Sequence, residues 1–192
     1  MFFQMRVIAG KCRGRRLSGF AGLSIRPTSD KVREAVFNIL PRDFSFKKVI
    51  DLFAGTGAMG IEALSRGSEE AVFVEIDSKA VSVIKKNIEA CGLENAVILK
   101  KDVLGSIRFF SRKGTGFDLI IVDPPYDTSL FEETIKAVDK ARLLNSSGVL
   151  VAETSRRAPL KAGLENLEVM DERKYGDTLV YFLKPRLKDD ED

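Results

Sequence analysis

The run Asp51-Leu52-Phe53-Ala54-Gly55-Thr56-Gly57-Ala58-Met59-Gly60 sets the architecture. Val49-Ile50-Asp51-Leu52-Phe53 reads as a strand, and Gly55 to Gly67 as a glycine turn that runs into a helix. Downstream, Ala71-Val72-Phe73-Val74-Glu75 is a second strand. Asp77 or Ser78 caps a helix with Val81, Ile84 and Ile88 on one face, and Gly92 ends it. Val97-Ile98-Leu99, Phe117 to Val122 and Gly148 to Glu153 are three further strands, with a helix over Phe131 to Ala141. Upstream, Pro27 precedes a helix marked by Val32, Val36, Ile39 and Leu40 and stopped by Pro41. Alternating strands and helices imply a doubly wound, mostly parallel α/β sheet. Leu167 to Met170 and Thr178 to Leu183 lack a helix between them, which predicts an antiparallel C-terminal hairpin.

In such a sheet, ligands bind beyond the carboxyl ends of the strands. Gly55, Gly57 and Gly60 form G-x-G-x-x-G in the expected strand-to-helix context. Glu75, twenty residues beyond Gly55, ends the second strand, where a carboxylate can accept both hydroxyls of an adenosine ribose. Asp102 follows the third strand, placed to accept from an adenine amino group. Two cofactors compete for this edge. A dinucleotide needs pyrophosphate at the helix N-terminus, where a nearby carboxylate is unwelcome. Asp51 lies four residues before Gly55 and suits a cofactor with a cationic amino-acid end, as S-adenosylmethionine has. Asp51-x-Phe53-x-Gly55-x-Gly57 also resembles the first motif of class I S-adenosylmethionine-dependent methyltransferases, which carry a Rossmann-like sheet.

After the fourth strand comes Asp123-Pro124-Pro125-Tyr126. The prolines stiffen the exit and remove two N–H donors, so the Asp123 carboxylate and the Pro124 carbonyl can both act as outward acceptors. Tyr126 offers a face on which a flat base can stack. Two acceptors on one exocyclic amine draw it toward a more nucleophilic, tetrahedral shape. The stretch resembles the D/N-P-P-Y/F signature of amino-group methyltransferases. Cytosine-C5 methylation needs a Cys nucleophile. Cys12 and Cys91 stand elsewhere, and the Pro-Cys pair is absent.

Composition narrows the field further. The 192 residues include no histidine, which removes Ser-His-Asp and Cys-His machinery and His-ligated zinc. Two distant cysteines offer neither a disulfide framework nor a metal cluster and suit a reducing, cytoplasmic setting. No leader segment and no membrane span of about 20 apolar residues is visible. A net charge of +3 conceals an asymmetry. Residues 1–33 hold eight basic side chains and one acidic, a local +7, while residues 34–192 hold 23 basic and 27 acidic, or −4. Arginine dominates the arm, as suits a phosphate-bearing polyanion. Gly10, Gly14, Gly19 and Gly22 punctuate it as turns between short strands, a small basic β-element. The expected organisation is a basic, polyanion-binding element over 1–28, a catalytic domain over 29–187 and a frayed acidic tail over 188–192, with a monomer as the simplest state.

A narrower resemblance then appears. Arg6-Val7-Ile8-Ala9-Gly10-x-x-Arg13-Gly14-Arg15-x-Leu17, Arg26-Pro27-Thr28-x-Asp30-x-Val32-Arg33-Glu34, Glu62-Ala63-Leu64-Ser65-Arg66-Gly67 and Phe73-Val74-Glu75-x-Asp77 are similar to the bacterial 16S rRNA guanine-N2 methyltransferases that act on guanine 966. The likeness runs from about residue 5 to residue 184. It implies S-adenosylmethionine bound through Asp51, Phe53, Gly55, Gly57, Glu75 and Asp102, with the adjoining Asp77 and Val103. It implies catalysis by Asp123, Pro124 and Tyr126. It implies a substrate of 16S rRNA in the small ribosomal subunit or its assembly intermediate. Arg6, Lys11, Arg13, Arg15, Arg16, Arg26, Thr28 and Arg33 are the expected RNA contacts, and neither metal nor membrane is called for. Residue spacing by itself leaves three alternatives: an adenine-N6 methyltransferase of DNA or RNA, a non-catalytic RNA-binding assembly factor, and a dinucleotide oxidoreductase.

Overall fold

A computed structural model describes residues 5–19, 28–41, 46–125, 129–161 and 163–186, with side chains in the second segment from residue 31. Arg26 and Tyr126 lie outside the described residues, as does the side chain of Thr28. The elements in chain order are α1 (Thr28–Ile39), β1 (Lys48–Asp51), α2 (Ala58–Arg66), β2 (Glu70–Glu75), α3 (Ser78–Cys91), β3 (Ala96–Lys100), α4 (Val103–Arg112), β4 (Phe117–Val122), α5 (Leu130–Ala141), β5 (Leu144–Ser155), β6 (Leu167–Tyr175) and β7 (Thr178–Pro185). They form a mixed α/β architecture with a seven-stranded sheet, mostly parallel with antiparallel C-terminal strands. The chain divides into two compact units, Met1–Val103 and Leu104–Asp192.

In the first unit the strand order is β3-β2-β1, all parallel. Asp51 pairs with Phe73 and Glu75 with Lys100, so the carboxyl ends of the three strands share one edge. Val49, Ile50, Leu52, Ile61, Phe73, Val74 and Ile84 are buried between sheet and helices. Each such side chain contributes roughly 1.5–3 kcal/mol by leaving water. Asp77 caps α3, its Oδ1 accepting from Lys79 N at 2.8 Å and Ala80 N at 2.9 Å, and Gly92 closes the helix with φ 61°.

The second unit has the order β4-β5-β7-β6, with β4 and β5 parallel and the last two strands antiparallel. The expected hairpin is present, turning through Gly176-Asp177 between the paired Tyr175 and Thr178. Phe117, Leu119, Ile120, Ile121, Ile135, Leu150 and Phe182 are its buried core. Asp139 on α5 is 5% exposed, and its carboxylate accepts from the backbone N–H groups of Glu165, Asn166 and Leu167 at 2.7–2.9 Å, fixing the entry to β6.

Three features differ from the sequence reading. Helix α4 occupies a stretch to which the sequence reading assigned no element, because Gly105 and two serines weaken its helical signal. Val103 and Ile107, four apart, are nonetheless buried, and Phe110 packs edge-on against Phe117 at 5.1 Å. Strand β5 starts at Leu144 rather than Gly148, after α5 closes at Arg142 with φ 48° and no glycine to announce it. Among its described residues, 5–19, the arm forms one antiparallel bridge, Arg6 with Arg16, where short strands were expected. No described helix is long and apolar enough to cross a membrane.

Candidate active site

The cofactor edge belongs to the first unit. Asp51 ends β1 and is 2% exposed. Its carboxylate accepts the Gly60 N–H at 3.2 Å, which pins the first turn of α2 to the strand. Burial pushes its pKa up from 3.8 to about 7. The neighbouring Glu75 charge adds to the rise, and the backbone N–H groups of Gly60 and Phe53 oppose it. Gly60 has no room for a Cβ, which would lie 2.4 Å from Cε1 of the buried Phe73 ring. The third glycine of the motif therefore sets how closely α2 packs on β2.

Glu75 stands half-exposed at the end of β2. Its Oε2 accepts from Gly55 N at 2.9 Å, and its Oε1 accepts from Ile76 N at 2.8 Å and Asp77 N at 2.9 Å. Three backbone donors thus orient the carboxylate before any ligand arrives and tie the glycine turn to the second strand. Phe53 is half-buried beside this turn, and Gly57 leads into α2 with φ 80°. Asp102 is exposed just ahead of α4, whereas Val103 is buried at its start. The exposed apolar face on this edge is Ile76, 66% exposed next to Glu75, which sequence reasoning missed. An isoleucine directly after an acidic strand end was the signal available.

This donor set fits an adenosyl cofactor with an amino-acid tail: an oriented carboxylate for the ribose, an apolar face beside it for the purine, and a buried carboxylate at the turn for a cation. Among the described residues no group of three or more His, Cys, Asp or Glu side chains could hold a metal ion.

In the second unit, Asp123 and Pro124 follow the wholly buried end of β4. Asp123 is exposed, Pro124 is buried and Pro125 is exposed. The strand delivers a carboxylate to the surface on a backbone that two prolines have stiffened.

The arm is bound to the first unit by a buried acid. Glu62 on α2 is fully buried, and its carboxylate accepts from Ile8 N at 2.8 Å, Ala9 N at 3.0 Å and Arg66 Nε at 2.8 Å. Ser65 Oγ donates to the Ala9 carbonyl at 2.6 Å and accepts from Cys12 N at 2.9 Å. At Gly10 (φ 79°) a Cβ would fall 1.8 Å from the Ser65 carbonyl oxygen, so only glycine permits this contact. Docked in this way, the arm leaves Arg6, Lys11, Arg13, Arg15 and Arg16 exposed. Arg33 requires a correction. Expected among the RNA contacts, it is 3% exposed, donates to the Arg6 carbonyl at 2.6 Å and lies 3.9 Å from Glu62. Its guanidinium is withdrawn from solvent and ties α1 to the arm through the Arg6 carbonyl.

Fold and edge together define a class I S-adenosylmethionine-dependent methyltransferase, an architecture shared with solved enzymes of that class. The chain belongs to the Conserved hypothetical protein 95 family, whose model matches residues 5–184. It is 38% identical over 183 residues to YlbH of Bacillus subtilis, provisionally named an rRNA methyltransferase, covering 95% of this chain and 100% of that one. It is 31% identical over 175 residues to the ribosomal RNA small subunit methyltransferase D of Haemophilus influenzae, covering 90% of each. Among solved structures, an Escherichia coli protein provisionally named as the methyltransferase yhhF superposes with a TM-score of 0.82 at 30% identity, covering 95% of this chain and 98% of that one.

Proposed function

We propose that this protein transfers a methyl group from S-adenosylmethionine to the exocyclic N2 of a guanine in the 16S rRNA of the small ribosomal subunit. The observation that carries the chemistry is the exposed Asp123 on its proline-stiffened exit, in a chain that also carries an adenosyl-cofactor edge. Asp51, Phe53, Gly55, Gly57, Glu75 and Asp102 hold the cofactor, with Ile76 against the purine. When bound, the sulfonium supplies an electrophilic methyl whose leaving group is already activated. The Asp123 carboxylate and the Pro124 carbonyl accept hydrogen bonds from the two N–H groups of the target amine, localise its lone pair and orient it for in-line attack, and the N–H proton lost on methylation passes by way of the Asp123 carboxylate to water. Tyr126, read from the sequence, stacks the extruded base. The exposed arginines and Lys11 of the arm hold the RNA backbone.

Small subunits from a strain lacking the activity, given labelled S-adenosylmethionine, test this reading. The expected product is N2-methylguanosine at one position. N6-methyladenosine, or no transfer at all, overturns it. Asp123→Ala is expected to lower the transfer rate at least a hundredfold while RNA binding persists, measured by single-turnover transfer beside filter binding. Retained RNA binding together with lost transfer separates this reading from that of a non-catalytic assembly factor.

A further inference from the structure

The reaction brings together a cofactor seat and an RNA seat, and one buried side chain touches both. Asn87 on α3 is 1% exposed. Its Oδ1 accepts the Ser18 N–H at 2.7 Å, and its Nδ2 donates to the Ser18 carbonyl at 3.0 Å and to the Thr56 carbonyl at 2.9 Å. Ser18 lies in the basic arm, whereas Thr56 stands between the two glycines of the cofactor turn. Both amide hydrogens are therefore used, with Nδ2 bonded to arm and turn alike. A second link runs from Thr56 Oγ1 to Met5 Sδ at 3.6 Å, so the arm reaches Thr56 from both of its described ends.

A buried amide with both N–H groups donated and its oxygen bonded is a rigid joint, because displacement leaves a polar group unsatisfied away from water. Ser18 cannot move without breaking a buried bond or carrying Thr56 along. On the far side of the turn, Gly55 N is held on the Glu75 carboxylate. The chain of contacts from arm to ribose-binding acid is thus Ser18, Asn87, Thr56, Gly55 and Glu75.

We propose that Asn87 is a positioning residue that couples RNA binding on the arm to the geometry of the cofactor turn, so that each ligand strengthens the binding of the other. The proposal rests on the functional reading above, with RNA on the arm and the cofactor at the turn. Linkage requires the effect to be reciprocal, and couplings of this kind commonly reach fivefold or more.

The test measures the affinity of the intact protein for radiolabelled S-adenosylhomocysteine, which cannot donate a methyl, with and without saturating unmethylated small subunits. In the native protein the subunits are expected to tighten binding about fivefold or more. Asn87→Ala is expected to bring that ratio close to one. Ser18→Pro, which removes the N–H that Asn87 accepts, should do the same from the arm side and serves where Asn87→Ala fails to fold. A merely structural role would shift both affinities and leave their ratio intact, so an unchanged ratio in a folded variant overturns the proposal. Native protein that binds both ligands without coupling also overturns it and leaves the functional reading standing. Native protein that binds no S-adenosylhomocysteine overturns both.

Discussion

Asp51 has one pH consequence for the fold and, under the proposed cofactor role, the opposite one for the ligand. Its carboxyl is held at about 7 in the folded protein against 3.8 as a free group, chiefly by burial. The native state therefore binds the proton more tightly than the unfolded chain does. This contribution to stability is full below pH 3.8 and is lost as pH rises through about 7, on the order of a few kcal/mol in total. If Asp51 meets the cofactor's ammonium group as proposed, cofactor binding has the reverse dependence, because a cation prefers the ionised carboxylate. Affinity for S-adenosylhomocysteine is expected to rise with pH and level off above about 7, with release of a proton measurable by calorimetry in buffers of different ionisation enthalpy. Asp51→Asn keeps an acceptor for Gly60 N and should flatten both dependences. A pH-independent native affinity would exclude an ionic role at the turn. Gly60 makes a purely steric case beside it. Gly60→Ala would force a Cβ into Phe73 and should cost roughly 1–3 kcal/mol in denaturant unfolding.

At the level of the element, Glu62 is the buried acid among the contacts that dock the arm. Backbone bonds across the arm, from Leu17 N to the Met5 carbonyl at 2.8 Å and from Val7 N to the Arg15 carbonyl at 2.9 Å, shape its turn but do not attach it to α2. The Glu62 carboxylate supplies acceptors for two arm amides and the counter-charge for Arg66 and Arg33. Removing one member of a buried ionic cluster leaves the others uncompensated, so Glu62→Ala should cost about 3–5 kcal/mol. The amides of Ile8 and Ala9 should lose protection in hydrogen exchange while those of β2 and β4 keep theirs. Retained protection at Ile8 and Ala9 would show that the Ser65 and Asn87 contacts hold the arm without Glu62. The strands, the glycine turn and the cap at Asp77 were legible in the sequence because their signals are local: apolar runs, glycines and an acid at a helix start. Glu62 was legible only as part of a motif, since it meets Ile8 across 54 positions of sequence. Burial of Arg33, closure of α5 at Arg142 and the Asn87 joint likewise arise from tertiary contact, which neither periodicity nor residue type announces.

For the whole molecule, the split of charge is the organising fact. A net +3 hides a +7 N-terminal segment and a −4 remainder. A polyanion is therefore attracted to one part of the chain, and the acidic excess elsewhere discourages binding in other orientations. Burial of Arg33 trims the available charge but leaves six described cations exposed: Arg6, Lys11, Arg13, Arg15, Arg16 and Lys31. These differ from the cofactor edge in what they should respond to. Phosphate contacts release counterions, so RNA affinity falls with salt at a slope of about 0.7–0.9 per contact. Replacing Arg13, Arg15 and Arg16 with alanine should lower that slope by about two to three and weaken RNA binding, read by filter binding across a salt series. The triple variant should keep its affinity for S-adenosylhomocysteine in the absence of RNA, because none of the three side chains lies among the contacts that hold the turn. Equal losses of both affinities would mean that these arginines stabilise the first unit instead of meeting the RNA, since an electrostatic contact with phosphate has no means of weakening a ligand bound in its absence.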